Sequence, residues 1–149
     1  MTLLALIAWI ITAGGGLYLL SIWLIEYDKD FHAVAATRLP RAVLAGHVML
    51  AGGGLLVWIS YLILDSSRLA WTAVLVLALA ATLGLVMGAR WVGVYRDERA
   101  AARARHTAFA VDLGPPERNF PLPVVIAHGA FAVTTITLVL LTAFGVGGS

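Results

Sequence analysis

The chain has 149 residues, 61% of them hydrophobic and 12% charged, about half the charged fraction of an ordinary soluble domain, so it reads as an integral membrane protein. It contains no cysteine, which excludes disulfides, thiolate metal sites, iron–sulfur ligation and cysteine nucleophiles. The formal net charge is +2, with nearly all basic residues in two loops, which points to membrane orientation and away from nucleic acid.

The opening MTLLALIAWIITAGGGLYLLSIWLI has no basic leader and stays apolar long enough to cross a bilayer, so it predicts a retained first helix over 2–25. Further spans are predicted over 42–64, 69–92 and 121–146, separated by polar stretches at 26–41, 65–68 and 93–120. The second connection, DSSR, is so short that the helices on either side of it must be antiparallel neighbours. An up-down-up-down bundle is then the simplest arrangement. The third loop opens WVGVYRDERAAARARHTAFAVDL, whose Ala- and Arg-rich centre favours helix, and breaks at Gly114-Pro115-Pro116. It reads as an extension of the third helix turning onto the membrane surface, with a docking surface for a soluble partner as the alternative.

Lys29, Arg38, Arg41, Arg90, Arg96, Arg99, Arg103, Arg105 and Arg118 fall in or beside the first and third loops, and only Arg68 lies on the other side. The positive-inside rule places both long loops in the cytoplasm and both termini outside an inner (cytoplasmic) membrane.

The two halves of the chain match. At an offset of 68, Gly16-Leu17, Trp23 and Tyr27 fall on Gly84-Leu85, Trp91 and Tyr95; at an offset of 81, Pro40, Val43, His47 and Ala51 fall on Pro121, Val124, His128 and Ala132. The expected fold is therefore all-α: one domain, a four-helix transmembrane bundle built from two tandem helical hairpins, with repeat halves 1–64 and 69–149 and both termini extracytoplasmic. Because each copy holds two spans, the copies enter the membrane in the same direction, as a parallel repeat.

His47 and His128 each lie seven residues after a proline, so both imidazoles sit about 10 Å inside a span at about 1.5 Å rise per residue. Lipid disfavours an imidazole there unless something binds it. Three readings compete. Each ring could hydrogen-bond a neighbouring helix, through Thr134, Thr135 or Ser21, and merely stabilise packing. The rings could titrate along a proton or ion path, although Glu26, Asp28, Asp30 and Asp65 lie only at span ends or in loops. Or the two rings could be the axial ligands of one b-type haem, closing both faces of the iron in a manner that suits electron transfer. On the last reading Arg38, Arg41, Arg90 and Arg118 are possible partners of the propionates, and Ala51, Gly54, Ala132 and Thr135, on the histidine stripes, are small residues facing the macrocycle.

A four-helix membrane bundle with one histidine near the same end of two parallel helices resembles the small b-type cytochromes and haem-carrying membrane anchors, including the cytochrome b561-like and succinate-dehydrogenase-anchor groups. The likeness is architectural, covers most of the chain and carries over only to His47 and His128 as axial ligands. It implies one haem per chain at most, because the remaining histidines, His32 and His106, are in loops.

The tryptophans, at positions 9, 23, 58, 71 and 91, and Tyr27, Tyr61 and Tyr95 are expected mainly in interfacial belts. The runs Gly14-Gly15-Gly16 and Gly52-Gly53-Gly54 read as close-packing positions or as clearance for a macrocycle. A quinone or proton-uptake site near Glu26, Tyr27 and His32 is conceivable, while His32 and His106 otherwise read as solvated. No self-contained catalytic motif is present. The expected function is a membrane cytochrome b or the haem-bearing subunit of a respiratory oxidoreductase, in contact with other subunits of a membrane complex or with copies of itself. The alternatives are a cofactor-free accessory subunit and a small transporter.

Overall fold

The computed structural model describes residues 1–29, 37–104 and 115–146. His32 and His106 lie outside the described residues, so the site read at Glu26, Tyr27 and His32 lies partly outside them. The described residues form four α-helices and no strand: α1 (Thr2–Lys29), α2 (Arg41–Leu64), α3 (Ser67–Ala104) and α4 (Leu122–Ala143), with a 3-10 turn, Pro116–Asn119, ahead of α4. All four helices are long and apolar enough to cross a membrane. The shortest, α4 with 22 residues, spans about 33 Å against a hydrocarbon core of about 30 Å. The chain is a multi-pass membrane protein.

The helix ends follow local chemistry. α1 runs past its apolar stretch to Lys29 because Glu26-Tyr27-Asp28-Lys29 contains no helix breaker. α3 continues through the Ala- and Arg-rich segment to Ala104, 38 residues or about 57 Å, longer than a bilayer core requires. α4 stops at Ala143, short of the expected 146, because Gly145 adopts φ 75° and its amide turns back to the Thr142 carbonyl at 2.9 Å. Between α2 and α3, Asp65 takes the left-handed conformation (φ 45°, ψ 41°) and donates its amide to the Tyr61 carbonyl, reversing the chain within two residues. Pro40 and Pro121 have nearly the same backbone angles, φ −64° with ψ 123° and 120°, and cap α2 and α4 in the same way.

α1 packs chiefly along α4, and α2 along α3; α1 touches α2 only slightly. The main core lies toward the end that holds Met1 and Asp65, where Trp9 and Trp58 fill space left by Ala5, Ala70 and Ala73 and close on Leu77 and Val139. A second buried group, Trp23, Leu39, Trp91, Val94, Pro116 and Glu117, lies at the arginine-rich end. The expectation of aromatic belts is therefore corrected for four of the five tryptophans. Trp9, Trp23, Trp58 and Trp91 are buried, and only Trp71 is exposed, with its ring edge on Phe144. In lipid an apolar ring gains nothing by merely leaving the acyl chains. Tight packing against small partners decides its position instead. Trp9, for example, lies so close to Gly54 that a Cβ there would meet its ring at 3.0 Å.

Candidate functional site

His47 on α2 and His128 on α4 stand between the two buried groups, half-buried, with ring centres 6.3 Å apart and ring planes at 72°. Each uses Nδ1 in the same way. His128 Nδ1 lies 2.9 Å from the Thr12 carbonyl on α1, and His47 Nδ1 lies 2.8 Å from the Ala80 carbonyl on α3. A carbonyl oxygen only accepts, so Nδ1 carries a proton in both rings; in the neutral form of an imidazole held this way, Nε2 keeps the lone pair. Among the described residues no group hydrogen-bonds either Nε2.

The two acceptors, Thr12 and Ala80, are 68 residues apart, the same offset that relates Gly16 to Gly84. Each acceptor carbonyl already receives the helix amide four residues on, which belongs to Gly16 or Gly84. A carbonyl has a second lone pair, and the missing side chain of that glycine leaves it open to the imidazole. The fit is close: a Cβ on Gly16 would stand 3.0 Å from His128 Cε1, and one on Gly84 would stand 3.1 Å from His47 Cε1. Sequence reasoning singled out these glycines as repeat positions without seeing this use.

Neither ring bonds Thr134, Thr135 or Ser21, the hydroxyls considered as packing partners. Thr134 and Ser21 satisfy carbonyls of their own helices, Ala130 and Tyr18, because a hydroxyl one helical turn from a carbonyl finds it at no cost in helix geometry. Thr135 is buried, bonds the Phe131 carbonyl and meets Thr12 Oγ1 at 3.2 Å. Gly54 is packed under Trp9 and Val76, while Ala51 and Ala132 are half-buried.

Arg38, Arg41, Arg90 and Arg118 all lie at the arginine-rich end. Arg38 pairs with Asp97 at 2.6 Å, Arg90 Nη1 donates to the Arg38 carbonyl at 3.1 Å, and Arg41 Nη1 donates to the Tyr27 hydroxyl at 3.3 Å. Arg118 sits in the 3-10 turn. Two aromatic stacks, Trp23 on Tyr27 with ring centres 4.6 Å apart and Trp91 on Tyr95 at 5.2 Å, stand at matched positions toward the same end.

Sequence reasoning missed Glu117. It is fully buried, accepts the Arg38 amide at 2.6 Å on Oε1 and accepts the Thr37 hydroxyl at 3.1 Å on Oε2. Its signal was its setting, one of only eight acids in the chain, placed between two prolines and the fourth span.

The two sides of the bundle differ at one matched pair. On α3, Leu83 lies over α2, with Cδ1 3.1 Å from where a Gly46 Cβ would stand. At the position 68 residues earlier α1 has Gly15, and there a groove of about 430 Å³ lies open along Ile11, Gly15, Pro123, Ala127, His128 and Phe131.

No family model, curated protein or solved structure matches the chain.

Proposed function

We propose that the protein is a membrane b-type cytochrome, or the haem-bearing subunit of a respiratory oxidoreductase, in which His47 and His128 are the axial ligands of one haem b. The observation that carries the reading is the state of the two rings. Both have Nδ1 bonded to a main-chain carbonyl, which in a neutral ring leaves the lone pair on Nε2 for a metal. The two ring centres stand 6.3 Å apart, so His47 and His128 are the residues that would hold one haem, each through an imidazole nitrogen.

When bound, haem b supplies a one-electron couple with no open coordination position. The chain's own residues do the rest. The Thr12 and Ala80 carbonyls fix the tautomer and raise the basicity of each imidazole. Gly16 and Gly84 let the rings reach those carbonyls. Arg38, Arg41, Arg90 and Arg118 offer positive charge for carboxylates at the arginine-rich end, in exchange with their present partners.

In this reading the chain is two tandem hairpins related by a pseudo-twofold axis along the membrane normal. The arginine-rich loops are cytoplasmic and the termini extracytoplasmic, as the charge bias supports. The groove at Gly15 opens beside His128 on a helix pair that faces lipid, which supports a lipid-soluble quinone as one electron partner.

The second reading, a cofactor-free accessory subunit, draws on the same Nδ1 bonds taken as packing alone. Oxidised and dithionite-reduced absorption spectra of protein purified from haem-replete cells separate the two. A sharp reduced α-band that is lost in both His47→Ala and His128→Ala supports the haem. A colourless preparation sinks it.

A further inference from the structure

We infer that Glu117 is a positioning residue that holds His47 and His128 at a common depth, by clasping the chain entering α2 to the chain entering α4. Its role at the haem rests on the reading above; its role in placing the two helices does not.

The argument starts from what resists sliding. A transmembrane helix that is apolar all round can shift along its axis at little cost, because lipid and apolar neighbours accommodate small changes in mismatch. The lead-ins to α2 and α4 cannot hold themselves. Both end in an extended proline that has no amide to donate, and neither helix has a side-chain cap. Two rings meant for one ligand nevertheless need the same depth, and a helix transmits any axial shift at its start directly to a ring two turns on.

Glu117 supplies the missing restraint. Its carboxylate is fully buried, and each oxygen takes one hydrogen bond from the α2 lead-in: Oε1 from the Arg38 amide at 2.6 Å and Oε2 from the Thr37 hydroxyl at 3.1 Å. The same lead-in gathers the other helices. Thr37 Oγ1 accepts the Trp23 indole N–H of α1 at 3.4 Å and the Leu39 amide at 3.3 Å, and the Arg38 carbonyl accepts Arg90 of α3 at 3.1 Å. α1 and α3 thus bond the same α2 lead-in that Glu117, ahead of α4, holds.

The hydrogen-bond count asks for a carboxylate in particular. Thr37 Oγ1 already accepts two bonds, which uses both lone pairs, so its proton must go to an acceptor. Glutamate offers two acceptor oxygens. Glutamine offers one, and its amide group would place a third donor on the hydroxyl.

The natural absence of cysteine makes the test direct. Cysteines replacing Ala45 and Ile126, which are exposed, on the two histidine-bearing helices and 81 residues apart, are spin-labelled in the full-length protein. Their distance distribution is then measured by pulsed EPR. Glu117→Ala is expected to broaden the distribution at least twofold, with Glu117→Gln intermediate and Glu117→Asp closer to the parent. In haem-loaded protein the same series should broaden and shift the EPR signal of a haem held by His47 and His128. Should Glu117→Ala fail to fold, Glu117→Gln, which disturbs the Oε2 bond alone, and Thr37→Val, which removes that bond together with the two that Thr37 Oγ1 accepts, carry the test. An unchanged distribution in any folded variant lacking the Oε2 bond overturns the clasp. A colourless protein whose distribution still broadens keeps the clasp and overturns the haem; a normal haem signal in Glu117→Ala, with the label distance unchanged, does the reverse.

Discussion

The imidazole of His128 donates from Nδ1 to the main-chain carbonyl of Thr12 at 2.9 Å, on a helix that the sequence repeat assigns to the other half of the chain. His47 makes the equivalent contact with Ala80, so each histidine is oriented by a helix from the opposite half of the chain. An orienting bond to one nitrogen is what leaves the other free to bind a metal, and it separates ligation from packing in a measurable way. In haem-free protein, His47→Ala or His128→Ala removes one part-buried hydrogen bond, with an expected cost of about 1 kcal/mol in a reversible unfolding measurement. The pigment, by contrast, should be lost entirely in either variant. A pure packing role would give the small stability change with no spectral consequence.

The glycines that uncover the two carbonyls should be sensitive to a single methyl group. Gly16→Ala and Gly84→Ala place a Cβ at 3.0 and 3.1 Å from a histidine Cε1, which pushes the ring off its acceptor. The expected cost is about 1–3 kcal/mol, with a shifted Soret band in loaded protein. Gly14 and Gly52 have no atom within 4 Å of an added Cβ, so their alanine variants should stay within about 0.5 kcal/mol of the parent and leave the spectrum alone. Equal effects at all four positions would show that helix propensity, and not the ring contact, is being measured.

At the arginine-rich end, the Arg38–Asp97 pair should contribute little. Its side chains are 54% and 62% exposed, and an exposed pair is worth about 0–1 kcal/mol even at good geometry. A double-mutant cycle with Arg38→Ala and Asp97→Ala should give a coupling in that range that shrinks as salt is raised. A coupling of several kcal/mol, insensitive to salt, would contradict this.

The groove beside His128 can be closed by copying the other half of the molecule. Gly15→Leu places on α1 the residue type that α3 carries at Leu83; its Cβ meets the His128 side chain only at ordinary contact distance, 3.6 Å. The fold and the haem spectrum should survive. If a lipid-soluble quinone exchanges electrons through this groove, the rate of haem reduction by a quinol analogue should fall at least tenfold, while dithionite reduction is unchanged. An unaltered quinol rate would place the exchange elsewhere.

Much of this was legible from residue order. Four long apolar runs imply four bilayer-length helices, because a backbone in lipid must satisfy its own hydrogen bonds. The spacing of His47 and His128 from Pro40 and Pro121 places each ring the same distance into its helix, because helical rise is constant. The faces of the helices were another matter. A transmembrane helix is apolar toward lipid and toward its neighbours alike, so no periodicity marks which side of α1 meets α4 or that Trp9, Trp23, Trp58 and Trp91 turn inward. Nor can residue order show main-chain acceptors such as the Thr12 and Ala80 carbonyls, which every residue type possesses, or that Glu117 meets a segment some 80 residues away. Those contacts depend on how close two backbones come, and only the packed bundle sets that distance.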